Sequence, residues 1–155
     1  MDLERTKKLI ILHESSQQFA YNDRTGKPLC PQGDARVTIG VGRNIDVRGG
    51  PGLRESEIQF MLANDLEEGE HLLSRTFPWF DALSDVRRAV LIDMHHNLGM
   101  QRLKRFEQTL ASVAAGNYRK ASLQMVQSRW ARQVGSRAQR LAEMMQSNEW
   151  PMELH

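Results

Sequence analysis

Two carboxylic acids and a threonine follow one another in the first quarter of the chain: Glu14, Asp23 nine residues on, and Thr38. Glu14 closes the apolar run Leu9-Ile10-Ile11-Leu12-His13. An acid beside apolar residues can keep its proton near neutral pH, because desolvation disfavours the charged form. Asp23 sits in the polar turn Tyr21-Asn22-Asp23-Arg24-Thr25-Gly26, where a carboxylate stays ionised, and Thr38 opens Thr38-Ile39-Gly40-Val41-Gly42. Two carboxyls with different affinities for a proton are what cleavage of a glycosidic bond requires: one protonates the leaving oxygen, the other handles a water or the sugar carbon. Each residue also has an ordinary explanation. Glutamates are mostly exposed surface charges, aspartate favours Asx turns, and threonine favours strands.

The elements that must position these groups can be read from spacing. Residues 2–14 have helical periodicity, with Asp2 and Glu4 at the favourable N-terminal end. Residues 19–23 and 36–41 are expected as short strands, separated by a turn-rich loop over 24–33. The break Gly49-Gly50-Pro51-Gly52 precedes a long amphipathic helix expected over 55–75. Ser84 suits an N-cap for a helix running to Leu98 and closed by Gly99. That helix is apolar almost all round, which marks it as a core element. Further helices are expected over 106–115, 118–127 and 136–147.

Glu14, the Tyr-x-Asp-x-x-Gly turn around Asp23 and the Thr-Ile-Gly-Val-Gly segment together resemble the catalytic segment of the T-even phage lysozyme family. Asp85-Val86-Arg87-Arg88-Ala89-Val90-Leu91-Ile92 is similar to that family's central buried helix. Ser128-Arg129-Trp130-Ala131, then Ser136-Arg137-Ala138 and Trp150, resemble its C-terminal end. The three blocks come in the family's order and span nearly the whole chain. The resemblance implies an α+β fold of two lobes: a small sheet lobe over 15–54, a connecting helix over 55–75, and a helical lobe from 1–14 and 76–155, with the cleft between them. It implies hydrolysis of the β-1,4 bond between N-acetylmuramic acid and N-acetylglucosamine in peptidoglycan. Glu14 would be the general acid, and Asp23 with Thr38 would hold the attacking water. That route inverts the anomeric centre and needs carboxyls about 6.5–9.5 Å apart.

Other positions follow from the same resemblance. Asn44, His96, Thr109 and Gln124 fall where the family lines its saccharide cleft, although none is identical to the T-even residue, and for His96 a partly buried structural histidine is an equal alternative. Arg137 matches an arginine near the catalytic acid. Arg43 stands where the family often has histidine paired with an aspartate on the long helix, so an Arg43–Asp65 pair is expected. The loop over 27–36 is longer than its family counterpart. Two other functions remain open: a lytic transglycosylase, which keeps the acid but needs no water-holding aspartate, and a non-catalytic wall-binding protein on the same fold.

Composition restricts the partners. At 155 residues, with 40% hydrophobic and 26% charged residues, the chain suits one soluble domain. The single cysteine, Cys30, gives no disulfide framework and fits synthesis in a reducing compartment. Residues 9–12 form an apolar run too short for a signal-peptide core or a membrane span. No membrane insertion is expected, and the family resemblance implies a monomer made in a host cytoplasm that acts on glycan strands of the wall after release by another agent. Net charge is −4 over residues 1–85 and +6 over 86–155. The basic half could attract an anionic polymer, or be only a solvated surface. No basic run is interleaved with stacking aromatics, so nucleic acid is not expected. His13, His71, His95, His96 and His155 contain no i, i+4 pair and no HExxH, so neither a metal nor any other cofactor is expected.

Overall fold

The computed structural model describes residues 1–154 and contains, among them, eight α-helices and one two-stranded antiparallel ladder. The elements are α1 (Leu3–Glu14), β1 (Thr38–Ile39), β2 (Arg43–Asn44), α2 (Glu55–Thr76), α3 (Asp85–Leu98), α4 (Met100–Leu103), α5 (Glu107–Ala114), α6 (Tyr118–Gln127), α7 (Arg129–Val134) and α8 (Ser136–Ser147). Helix dominates a small sheet, as in a helix-rich α+β chain. The chain divides into two compact units, one of Met1–His13 with Asn64 onward, the other Glu14–Ala63. No helix among the described residues is long and apolar enough to cross a membrane.

Capping chemistry explains the helix bounds of the larger unit. Ser84 is the N-cap of α3, its Oγ accepting from Arg87 N, and Gly99 closes the helix at φ 72° with its N–H on His95 O. Asn117 caps α6 by accepting from Lys120 N, and Ser128 caps α7 by accepting from Ala131 N. The short helices α4 and α7 were not anticipated from spacing, because four and six residues are too few to show a period. In this unit α6 packs on α5 and α8, and α3 packs on α8. Its core takes Leu9 and Ile10 from α1, Leu91 and Ile92 from α3, and Met125 and Leu141 from α6 and α8. Each fully buried side chain of this kind contributes about 1.5–3 kcal/mol.

The smaller unit has less regular structure than expected. Residues 19–23 do not form a strand. Asn22 Oδ1 accepts from the N–H groups of Arg24 and Thr25, its carbonyl accepts from Gly26 N at 2.8 Å, and the chain turns instead. Only the isolated bridge Tyr21↔Pro28 remains, and proline has no N–H with which to extend it. The strand expected over 36–41 shortens to Thr38–Ile39, facing Arg43–Asn44 in the register Thr38↔Asn44 and Ile39↔Arg43. Gly40 and Gly42, at φ 56° and 74°, make the turn between them. One residue before β1, Val37 donates its N–H to Asp46 Oδ2, while its carbonyl accepts from Ile45 N at 2.8 Å. A side chain thus ends the ladder.

Candidate active site

Glu14 is the last residue of α1, and Ser15 follows it at φ 62°, a left-handed conformation rare for a residue with a Cβ. Because the helix stops there, no later turn covers the Glu14 side chain, and the residue is exposed. The apolar shielding expected from the run before it is therefore absent: Leu9 and Ile10 go into the core of the larger unit. Asp23 is exposed within the 22–26 turn. That turn is tied toward the hairpin, since Ala20 N donates to Ile45 O at 3.0 Å and Leu29 N to Ala20 O at 2.8 Å.

Thr38 and Asn44 are cross-strand partners, so the two side chains leave the same face of the ladder. Thr38 is exposed and Asn44 half-buried. Asn44 also has a structural task. Its Oδ1 accepts from Asp46 N at 2.9 Å, and its carbonyl accepts from Gly52 N at 3.2 Å. A substrate contact from Asn44 would therefore come from its amide NH2, which the turn leaves uncommitted among the described contacts.

The turn after Asn44 carries a pair that the spacing of the sequence did not reveal. Asp46 is fully buried, and Arg48 grips it through Nε on Oδ1 at 2.9 Å and Nη2 on Oδ2 at 2.7 Å. The Arg48 guanidinium holds the Asp46 carboxyl far below the usual carboxylate range, against the desolvation that would raise it. Arg48 Nη2 also donates to Ala35 O at 2.7 Å, so this arginine fastens the end of the long 27–36 loop just before β1. Cys30, in that loop, is exposed.

Arg43 pairs with an acid inside its own unit. Arg43 Nη2 donates to Glu57 Oε1, with Nη1 near Gly52 O at 3.4 Å. Glu57 is already oriented, because its Oε2 accepts from Arg54 N at 2.8 Å across the first turn of α2. That backbone N–H, with the charges of Arg43 and Arg54, lowers the Glu57 pKa. Asp65, eight residues further along α2, is exposed and belongs to the larger unit.

Thr109 and Gln124 both lie in the larger unit. Both line a cavity of about 830 Å³ walled by Trp130 and Phe106 and bordered by Arg102, Arg105 and Arg129. Gln124 Oε1 accepts from Ser112 Oγ at 2.9 Å, and Trp130 Nε1 donates to Asn97 Oδ1 at 2.9 Å. His96 is exposed near the end of α3 and is not among the residues lining that cavity. Its neighbour His95 is half-buried, and burial together with the His96 charge lowers its pKa.

Arg137 is buried, with Nε on Asp93 Oδ1 at 2.8 Å. Asp93 is the acid that the apolar reading of α3 overlooked. It is fully buried, and its other oxygen accepts from His13 Nδ1 at 2.8 Å. No group of three or more His, Cys, Asp or Glu among the described residues is placed to hold a metal, and His155 lies outside them. No protein-family model matches the chain, and no curated protein matches it.

Proposed function

We propose that the chain is a muramidase of the T-even phage lysozyme type, with that family's two-lobed fold, cleaving the β-1,4 bond between N-acetylmuramic acid and N-acetylglucosamine by inversion. The observation that carries this reading is the pairing of Thr38 with Asn44 on one ladder face, adjoining the hydrogen-bonded turn that presents Asp23. A water-holding hydroxyl and a sugar-binding amide are thereby side by side within the same small unit. Glu14 donates its proton to the leaving oxygen. A saccharide lying over this exposed acid supplies the desolvation that its own neighbours do not. Asp23 accepts the proton of the attacking water. The Thr38 hydroxyl, able both to donate and to accept, aims that water at the anomeric carbon.

In the larger unit, Thr109 and Gln124 share a cavity lined by Phe106 and Trp130, and we assign to that cavity by itself a saccharide-binding role. His96 joins them only by resemblance. Arg43 supports the hairpin through Glu57.

Lysis of a turbid wall suspension by the wild type and by Glu14→Gln tests the assignment. The substitution keeps shape and removes the transferable proton. Activity is expected to fall by about 10²–10⁴ with the fold intact. More than a tenth of wild-type activity would remove Glu14 as the acid, and an inert wild type would remove the muramidase reading. Product mass separates hydrolysis from transglycosylation, which leaves an anhydro end instead of a hydrated one.

A further inference from the structure

A buried polar chain ends beside the acid. His13 precedes Glu14 in the last turn of α1, and its side chain is only 2% exposed. Nδ1 lies 2.8 Å from Asp93 Oδ2, and Nε2 lies 3.1 Å from Arg140 Nη1. Arginine can only donate, so Nε2 accepts; Nδ1 must then carry the hydrogen that Asp93 accepts. The contacts thus select the Nδ1–H tautomer of the imidazole. Both partners are held from behind. Asp93 Oδ1 accepts from the buried Arg137 at 2.8 Å, and Arg140 Nη2 donates to Glu153 at 3.1 Å. Residue 13 is therefore fixed to α3 and α8 together.

The position in sequence matters as much as the contacts. Consecutive helical side chains diverge by about 100°. Fixing the rotation of residue 13 therefore fixes the direction in which residue 14 leaves α1. Immediately beyond, Ser15 takes its left-handed φ of 62°, so the helix has no further turn with which to hold its own end. The side chain of His13 is the last anchor before the acid.

We propose that His13 is a positioning residue for Glu14: as the Nδ1–H tautomer, bridged between Asp93 and Arg140, it sets the orientation of the catalytic carboxyl without touching substrate. This rests on the muramidase assignment. Asp93, Arg137, Arg140 and Glu153 are charged side chains joined to His13 in this network.

Steady-state hydrolysis of soluble peptidoglycan fragments by His13→Ala and His13→Asn tests the role, at a temperature where circular dichroism shows both folded. Asparagine carries an N–H near the reach of Nδ1, so it restores the bond to Asp93. His13→Ala is expected to lose at least tenfold in kcat with KM within twofold of wild type. His13→Asn is expected to recover kcat to within threefold. A folded His13→Ala with wild-type kcat overturns the proposal, as does equal loss in both variants. Nitrogen NMR of the wild-type imidazole reads the bridge independently of activity and of variant folding, and an Nε2–H tautomer at neutral pH overturns it. If the wild type is inert on walls while the Nδ1–H tautomer is seen, the muramidase assignment fails and the role falls with it. If the wild type lyses and His13→Ala keeps its kcat, the positioning role alone fails.

Discussion

Thr38 stands directly opposite Asn44 across the two-residue ladder, so a hydroxyl and a carboxamide project from one face with their Cβ atoms about 4.5–5.5 Å apart. A water held by the first is within reach of a sugar held by the second. Thr38→Val keeps the β-branched shape and removes only the hydroxyl. Loss of one hydrogen bond to an attacking water, about 1.4 kcal/mol, predicts at least a tenfold fall in kcat with an unchanged circular dichroism spectrum. Fresh product examined by NMR before mutarotation should be the α-anomer. A β-anomer would mean that Asp23 attacks the sugar carbon directly.

Acid should loosen the protein through at least two groups. Asp46 is held far below the usual carboxylate range by Arg48, so its contribution is complete above about pH 4 and is lost as pH falls toward the folded value. His95 acts in the same direction at higher pH. Its folded pKa is lowered by burial, so the unfolded chain takes up the proton first as pH falls below about 6.5. Urea midpoints measured at pH 7, 5 and 3 should decline in two stages. Asp46→Asn should start lower at pH 7 and show a smaller loss between pH 5 and 3, whereas a full-sized loss there would assign the acid sensitivity to other groups.

Gly50 has no room for a side chain. A Cβ built on it would lie 2.6 Å from Asn44 Oδ1 and 2.7 Å from the carbonyls of Asn44 and Asp46. Two of those three atoms are backbone and cannot swing aside. Gly50→Ala should therefore cost about 1–3 kcal/mol, as overpacking does, and should disturb the turn that seats Asn44. Chemical shifts confined to the larger unit, or none at all, would contradict this.

Salt should weaken attack on intact walls. Residues 86–155 carry a net +6, and Arg102, Arg105 and Arg129 of that half border the cavity beside Trp130. Screening at physiological ionic strength limits such attraction to about 8 Å. Lysis rates measured from 20 to 300 mM salt should fall steadily, and a flat profile would leave the basic half without a part in wall binding.

What the sequence disclosed was mostly what short range decides. The bounds of α3 follow from Ser84 and Gly99, those of α6 from Asn117, and all act within a few residues. The strand expected over 19–23 failed for a local reason of equal weight, the Asn22 side chain competing for the N–H groups that a ladder would use. Asp65 was offered to Arg43 by family resemblance alone, and nothing in the sequence showed that the first-turn geometry of α2 aims Glu57 at Arg43. Asp93 was invisible for a different reason. A lone acid on an apolar helix discloses nothing until its partner, His13, is brought from 80 residues away. Thr38 and Asn44 were legible as residue types, while their cross-strand register was not.

The division of the larger unit between the first thirteen residues and those from Asn64 onward sets an order of events during synthesis. Leu9 and Ile10 leave the ribosome about 130 residues ahead of Leu141 and Met145 of α8, which are buried in the same unit. At about 5–20 residues per second the interval is roughly 7–30 s. Through that time α1 is a short apolar segment without its core. The residues of Glu14–Ala63, contiguous in the chain, can associate while it waits. A ribosome stalled shortly before residue 136 would hold a nascent chain with that segment associated and α1 still open to chaperones.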